Sequence, residues 1–186
     1  LYYIMNDNLL RFGNPNSKLK KLIKKLGLVL KTFTLPAGWT CPGAKDCLSR
    51  ANRETGKITD GPDTEFRCFA ASSESQYKNT RAMVWRNFDT IKATLMNAWR
   101  YKKDQVKAVA DLLESNLPKK FDILRVHVGG DYFTREYLKA YDMGFSSMTT
   151  NSDGRISVPI NGEETPVFTL EDPVLSIEEE FISLND

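Results

Sequence analysis

Three cysteines and a single histidine are the residues in this sequence best equipped for chemistry. Cys41, Cys47 and Cys68 follow the spacing C-x5-C-x20-C. Cys41 lies in Pro36-Ala37-Gly38-Trp39-Thr40-Cys41-Pro42-Gly43, a run that can only be a loop, whose Gly and Pro residues let backbone approach a bound ion or cluster. An odd number of cysteines in a chain that opens without a charged-then-apolar export signal makes structural disulfides the less favoured use of them. Three thiolates suit an iron–sulfur cluster that keeps one iron open. They suit zinc equally well if His127 supplies a fourth ligand. Three incidental buried cysteines are the competing reading, weakened because all three sit among Gly, Pro and charged residues rather than on apolar faces.

His127 occupies a predicted strand between Val126 and Val128, with its side chain opposite to both. Two residues on comes Gly129-Gly130-Asp131, a turn at the carboxyl end of that strand, where α/β sheets bind ligands. The glycines permit close backbone approach and Asp131 offers a carboxylate; taken alone the turn is weak, because strand-to-helix turns use glycine routinely.

The elements that must position these residues follow from periodicity. A short basic amphipathic helix capped by Ser17 carries Leu19, Leu22, Ile23 and Leu26 at helical spacing and ends at Gly27. Leu28–Leu35 reads as a strand running into the cysteine loop. From Cys47 to Phe66 the chain is a polar excursion without a core of its own, the kind of long loop that carries a function or a ligand. A helix capped by Ser72 or Ser73 reaches about Tyr101, with Met83, Val84, Phe88, Ile91, Leu95 and Trp99 on one face, most simply a core face. A second helix spans Asp104–Leu117 and ends before Pro118. Phe121–Val128 is the next strand, and Thr134–Tyr141 the next helix. This βαβα order predicts an α/β fold, a partial (βα) barrel-like parallel sheet with covering helices. After Tyr141 the pattern changes to a small appendage: a hairpin of Arg155–Ile160 and Thr165–Leu170 around Asn161-Gly162, then an acidic helix from Ser176 to Leu184. The expected divisions are 1–27, 28–141 and 142–186.

With 41% hydrophobic and 27% charged residues among 186, the chain is in the ordinary globular range. Its apolar runs fall short of the ~20 residues that span a bilayer, so no membrane association is expected and the protein should be cytoplasmic. Asp142–Asp186 holds ten acidic residues and one basic one, a net −9 that leaves +11 on Leu1–Tyr141. Nucleic acid is a candidate partner for that basic N-terminal body, although a solvated face balanced by the tail explains the charge as well. Leu1–Ile4 precede Met5, the expected natural start.

Leu35-Pro36-Ala37, Cys41-Pro42-Gly43-Ala44, Arg67-Cys68-Phe69-Ala70, the Arg86-Asn87 pair and Arg125-Val126-His127-Val128-Gly129-Gly130-Asp131-Tyr132-Phe133 together resemble the gene product 88 family of tailed phages. Its members are similar in the cysteine segment and in an Arg-x-His-x-Ser-Gly-Asp strand end. A more distant likeness is to radical S-adenosylmethionine enzymes, where a cysteine loop after the first barrel strand holds a 4Fe-4S cluster and a Gly-Gly-Glu turn after the second holds the cofactor's amino group. That likeness implies that Cys41, Cys47 and Cys68 are cluster ligands and that Gly129, Gly130 and Asp131, with His127 in the same pocket, bind S-adenosylmethionine. The gene product 88 likeness implies the host cytoplasm. A full barrel needs further βα units after Tyr141, so the barrel is expected to be truncated or the tail foreign.

Overall fold

Two strands far apart in sequence are joined by the chain's central pairing. In the computed structural model, β1 (Leu30–Phe33) lies parallel to β4 (Ile123–Val126), in the register Leu30↔Ile123 through Phe33↔Val126. The structure describes residues 9–44, 47–62, 65 and 67–145, and the backbone of 155–160 and 163–169. Two compact units result, Leu1–Gly144 and Phe145–Asp186.

A parallel pair needs a long crossover, and three helices supply it: α2 (Phe69–Gln76), α3 (Lys78–Arg100) and α4 (Gln105–Ser115). Val84, Asn87, Ile91, Leu95 and Ala98 make the buried stripe of α3, three and four residues apart as one helix face requires. Against it α4 packs Val109, Ala110, Leu112 and Leu113. The side chain of Asp104 caps α4, accepting the Val106 and Lys107 amides at 2.9 and 3.1 Å. Helix α5 (Arg135–Phe145) buries Tyr137 and Ala140. Each fully buried side chain of this size contributes roughly 1.5–3 kcal/mol relative to exposure.

Asn87 is the polar member of that core. It is fully buried, accepts the Arg11 amide at 2.8 Å, and donates to the Arg11 and Thr34 carbonyls at 2.9 and 3.2 Å. It therefore joins α3 to the incoming chain and to the end of β1.

The expected α/β class and the parallel pairing hold. The parallel sheet comprises two strands, and several boundaries differ from expectation for identifiable reasons. The single helix expected up to Tyr101 is two helices broken at Tyr77, whose backbone is extended (φ −111°, ψ 102°). Buried Arg81, from the first turn of α3, donates to the Glu74 and Ser75 carbonyls at 2.7 and 3.3 Å and to the Arg53 carbonyl at 3.0 Å. The guanidinium thus satisfies carbonyls at the end of α2 that a continuous helix would have bonded itself. Trp99, expected on the core face, is 74% exposed, because the buried stripe passes through Leu95 and Ala98. The polar excursion after Cys47 contains a two-residue antiparallel ladder, β2 (Arg50–Ala51) with β3 (Ile58–Thr59). The basic helix α1 (Ser17–Leu26) is capped by Asn16, one residue before the expected Ser17; Asn16 Oδ1 accepts the Leu19 amide at 3.0 Å. Gly27 ends it at φ +70° as expected.

In the second unit β5 (Arg155–Ile160) pairs antiparallel with β6 (Glu163–Thr169), as the expected hairpin requires. The Asn161-Gly162 turn and the expected helix at 176–184 lie outside the described residues. Among the described residues no helix is long and apolar enough to cross a membrane.

A candidate thiol site at the carboxyl ends of two parallel strands

β1 and β4 run in the same direction, so the loops leaving their carboxyl ends emerge side by side. One is the cysteine loop and the other is Gly129-Gly130-Asp131. The Leu35 amide donates to the Gly129 carbonyl at 3.0 Å, extending the contact beyond the ladder. Thr40, fully buried, donates through Oγ1 to the Pro36 carbonyl at 2.8 Å and accepts the Asp131 amide at 3.2 Å. A Cβ on Gly129 would come within 2.6 Å of Ala70 Cβ. One on Gly130, at φ +74°, would collide with Thr40 Oγ1 and stand 2.7 Å from the Leu35 carbonyl oxygen. Two segments with no sequence proximity are therefore packed backbone to backbone, and glycine at 129 and 130 is what permits it.

Backbone amides fix the surroundings of Cys41 and Cys68. At φ +74° Gly38 lets the loop lie against the Ser49 carbonyl, which a Cβ at 38 would strike. Its amide donates to Cys41 Sγ at 3.3 Å. The Cys68 amide donates to buried Ser49 Oγ at 3.3 Å, so the third cysteine is anchored beside the strand that follows the second. Cys68 is the N-cap residue of α2, so the helix begins several residues before the cap expected at Ser72 or Ser73.

Electrostatics report the same proximity. Burial pushes the Cys41 thiol up, the Gly38 amide opposes this, and Asp131, Cys68 and Cys47 each add to the rise. Cys47 is pushed up by burial and then by the Cys68 thiol beside it, while the Ser49 and Cys68 amides favour its thiolate. None of the three cysteines is joined in a disulfide. Among the described residues no group of three or more His, Cys, Asp or Glu side chains is arranged to hold a metal ion. The three thiols are close enough to act on one another electrostatically, and backbone N–H groups point at two of them.

His127 departs from its expected place inside a strand. β4 ends at Val126 and His127 adopts φ +55°. Its amide still donates to the Phe33 carbonyl at 2.8 Å, after which the left-handed residue turns the chain so that Gly129 can meet Leu35. A left-handed non-glycine residue costs roughly 1–2 kcal/mol, and His is among the residues that tolerate it better. The ring packs against Tyr132, Tyr137 and Tyr141, with centroids 4.4, 5.8 and 6.2 Å away. Nε2 lies 3.3 Å from the Tyr137 hydroxyl, and Nδ1 is buried without a partner. Burial lowers the imidazole pKa to about 4, against a smaller opposing pull from Asp131. Burial likewise pushes the Tyr132 and Tyr137 hydroxyls far above their ordinary range. Asp131 itself is exposed, with Oδ1 accepting the Tyr132 amide at 2.7 Å.

Two residues at the site carried no sequence signal. Thr40 looks like any loop threonine. Glu74 sits in a Ser-rich helix, yet it is 1% exposed, with Oε1 accepting the Ala37 amide at 2.9 Å and Oε2 buried without a partner. Burial raises its pKa to about 7, with the Ala37 amide and Arg81 pulling the other way. The Glu74 carboxyl therefore braces the cysteine loop from behind.

A family model described as gene product 88 matches residues 8–152. Neither the curated proteins nor the solved structures contain a match to the chain.

Proposed function

The chain belongs to the gene product 88 family, and from that premise we propose that it is a phage-encoded iron–sulfur protein of radical S-adenosylmethionine type, at least in ancestry. One observation carries this reading: the cysteine loop and the Gly129-Gly130-Asp131 turn leave the carboxyl ends of two parallel strands and are joined there through Thr40. In this reading Cys41, Cys47 and Cys68 close around a 4Fe-4S cluster, with the Gly38, Ser49 and Cys68 amides offsetting thiolate charge. Such a cluster keeps one iron open and supplies single electrons to a bound ligand. In the same reading the exposed Asp131 carboxylate receives the amino group of S-adenosylmethionine, and the glycines let that ligand lie close to backbone. His127, neutral across the physiological range, shapes the pocket wall with its tyrosines and offers Nδ1 as a hydrogen-bonding group. The two-stranded sheet with its crossover helices then stands as the remnant of a (βα) barrel.

Anaerobic purification tests the reading. The expected protein is brown, contains iron and sulfide in equal amounts, loses its colour in each Cys→Ala variant, and cleaves S-adenosylmethionine when reduced. Colourless protein with stoichiometric zinc would overturn it in favour of a zinc-stabilised module.

A further inference from the structure

We propose that the face of α3 beside its buried stripe, together with Trp39 and Arg50, is a binding track for single-stranded nucleic acid. The inference does not depend on what the thiols hold.

Trp85, Phe88, Lys92, Met96 and Trp99 recur three and four residues apart, one position on from the buried Val84, Asn87, Ile91, Leu95 and Ala98. They form a second stripe about 21 Å long at 1.5 Å per residue, exposed at Lys92, Met96 and Trp99 and half-buried at Trp85 and Phe88, where Trp85 Nε1 is buried without a partner. Trp39 extends it, its ring 5.7 Å from Trp85, which stands 5.7 Å from Phe88. Trp39 is 45% exposed and Met96 56%. Around Phe88, Met96 and Trp99 the stripe opens into an apolar pocket of about 390 Å³, walled on its far side by Phe133.

Apolar character alone would leave the occupant open; the cations decide it. Arg50 sits over Trp39 at 4.6 Å, Arg53 over Trp85 at 5.0 Å, and Lys92 over Phe88 at 5.7 Å. Each ring along the first part of the track thus has its own positive group. Arg53 is shared with Asp89, which it meets through both guanidinium nitrogens, and Glu136 also lines the pocket; Arg50 and Lys92 remain as exposed cations. Rings that accept a base face, alternating with cations that accept a phosphate, are the means by which proteins bind single strands without reading sequence. A duplex hides its base faces and cannot use such a track. The pocket fits one flat ring among Phe88, Trp99 and Phe133.

The test is fluorescence anisotropy of a short oligothymidylate with the full chain at low salt. Binding is expected, weakening with salt at a slope of about −1.4 on logarithmic axes, as ~2 phosphate contacts to a single strand give. Trp99→Ala should weaken it roughly tenfold, the loss of one stacked base, and Lys92→Ala should lower the salt slope. Trp99 is too exposed for its loss to unfold the chain, and thermal unfolding of the variant checks this. A duplex of equal length should bind more weakly. No binding, binding unaffected by Trp99→Ala, equal binding of duplex or heparin, or loss of binding only when Lys20, Lys21 and Lys24 of α1 are replaced would each overturn the proposal.

Discussion

The hydroxyl of Thr40 and the backbone amide of Asp131, 91 residues apart in sequence, form a hydrogen bond of 3.2 Å inside the protein. The same hydroxyl donates to the Pro36 carbonyl, so one buried atom holds the cysteine loop to the glycine turn. Thr40→Val keeps the shape and removes both bonds; the Pro36 carbonyl still accepts the Thr40 amide at 3.2 Å, but the part-buried Asp131 amide loses its acceptor, at about 1–3 kcal/mol. Denaturant unfolding should register that loss, and iron content after anaerobic reconstitution should fall with it. Thr40→Ser, which keeps the oxygen, should retain most of both; equal loss in the two variants would mean that packing, not the hydroxyl, matters.

Gly130 stands at φ +74° against Thr40 and Leu35. Gly130→Ala should cost roughly 2 kcal/mol or more, from backbone strain together with the collision. The same change at Gly43, which faces open space, should be nearly neutral. Chemical denaturation of the pair gives the comparison.

Glu74 titrates near pH 7 in the folded chain, above the ordinary carboxyl value near 4.3. Its folded pKa is raised, so the protonated form favours folding at low pH and that contribution is lost as pH rises through about 7. Glu74→Gln should remove the dependence. Relative to the native chain, its stability should improve between pH 5 and pH 8 by up to ~3 kcal/mol. A difference that stays flat across that range would show that the carboxyl is ionised when folded.

For His127 the sign is opposite. Its folded pKa of about 4 lies below the ordinary 6.5, so the neutral ring favours folding above pH 6.5 and this stabilisation disappears as pH falls through about 4. The sequence contains no other histidine, so its ring resonances can be followed by NMR without assignment ambiguity. They should hold still from pH 8 to pH 5; movement centred near 6.5 would contradict the burial described above.

Much of this was legible from residue types. Gly27, Pro118 and the apolar spacing of Val84, Ile91 and Leu95 report local preferences, and those elements lie where local physics puts them. The cysteine loop and the glycine turn were visible because Gly and Pro restrict backbone wherever they occur. What was not legible depends on contacts between distant segments. The break at Tyr77 exists because Arg81 reaches back to α2 and across to Arg53. His127 leaves the strand because Gly129 must meet Leu35. Glu74 is buried because Ala37 needs an acceptor. Only the Arg81 bond to Glu74 joins near neighbours; no short window of sequence contains both partners of the others.

The parallel pairing of β1 with β4 also sets an order in time. Closing a loop of some ninety residues carries an entropic cost that local helices escape, so α2, α3 and α4 can form before the two strands meet. During synthesis all three thiols leave the ribosome well ahead of Asp131. Until the strands pair they lack their final neighbours, and a metal or an oxidant present in that interval would meet three cysteines in a chain that has not yet assembled the opposite wall of their site.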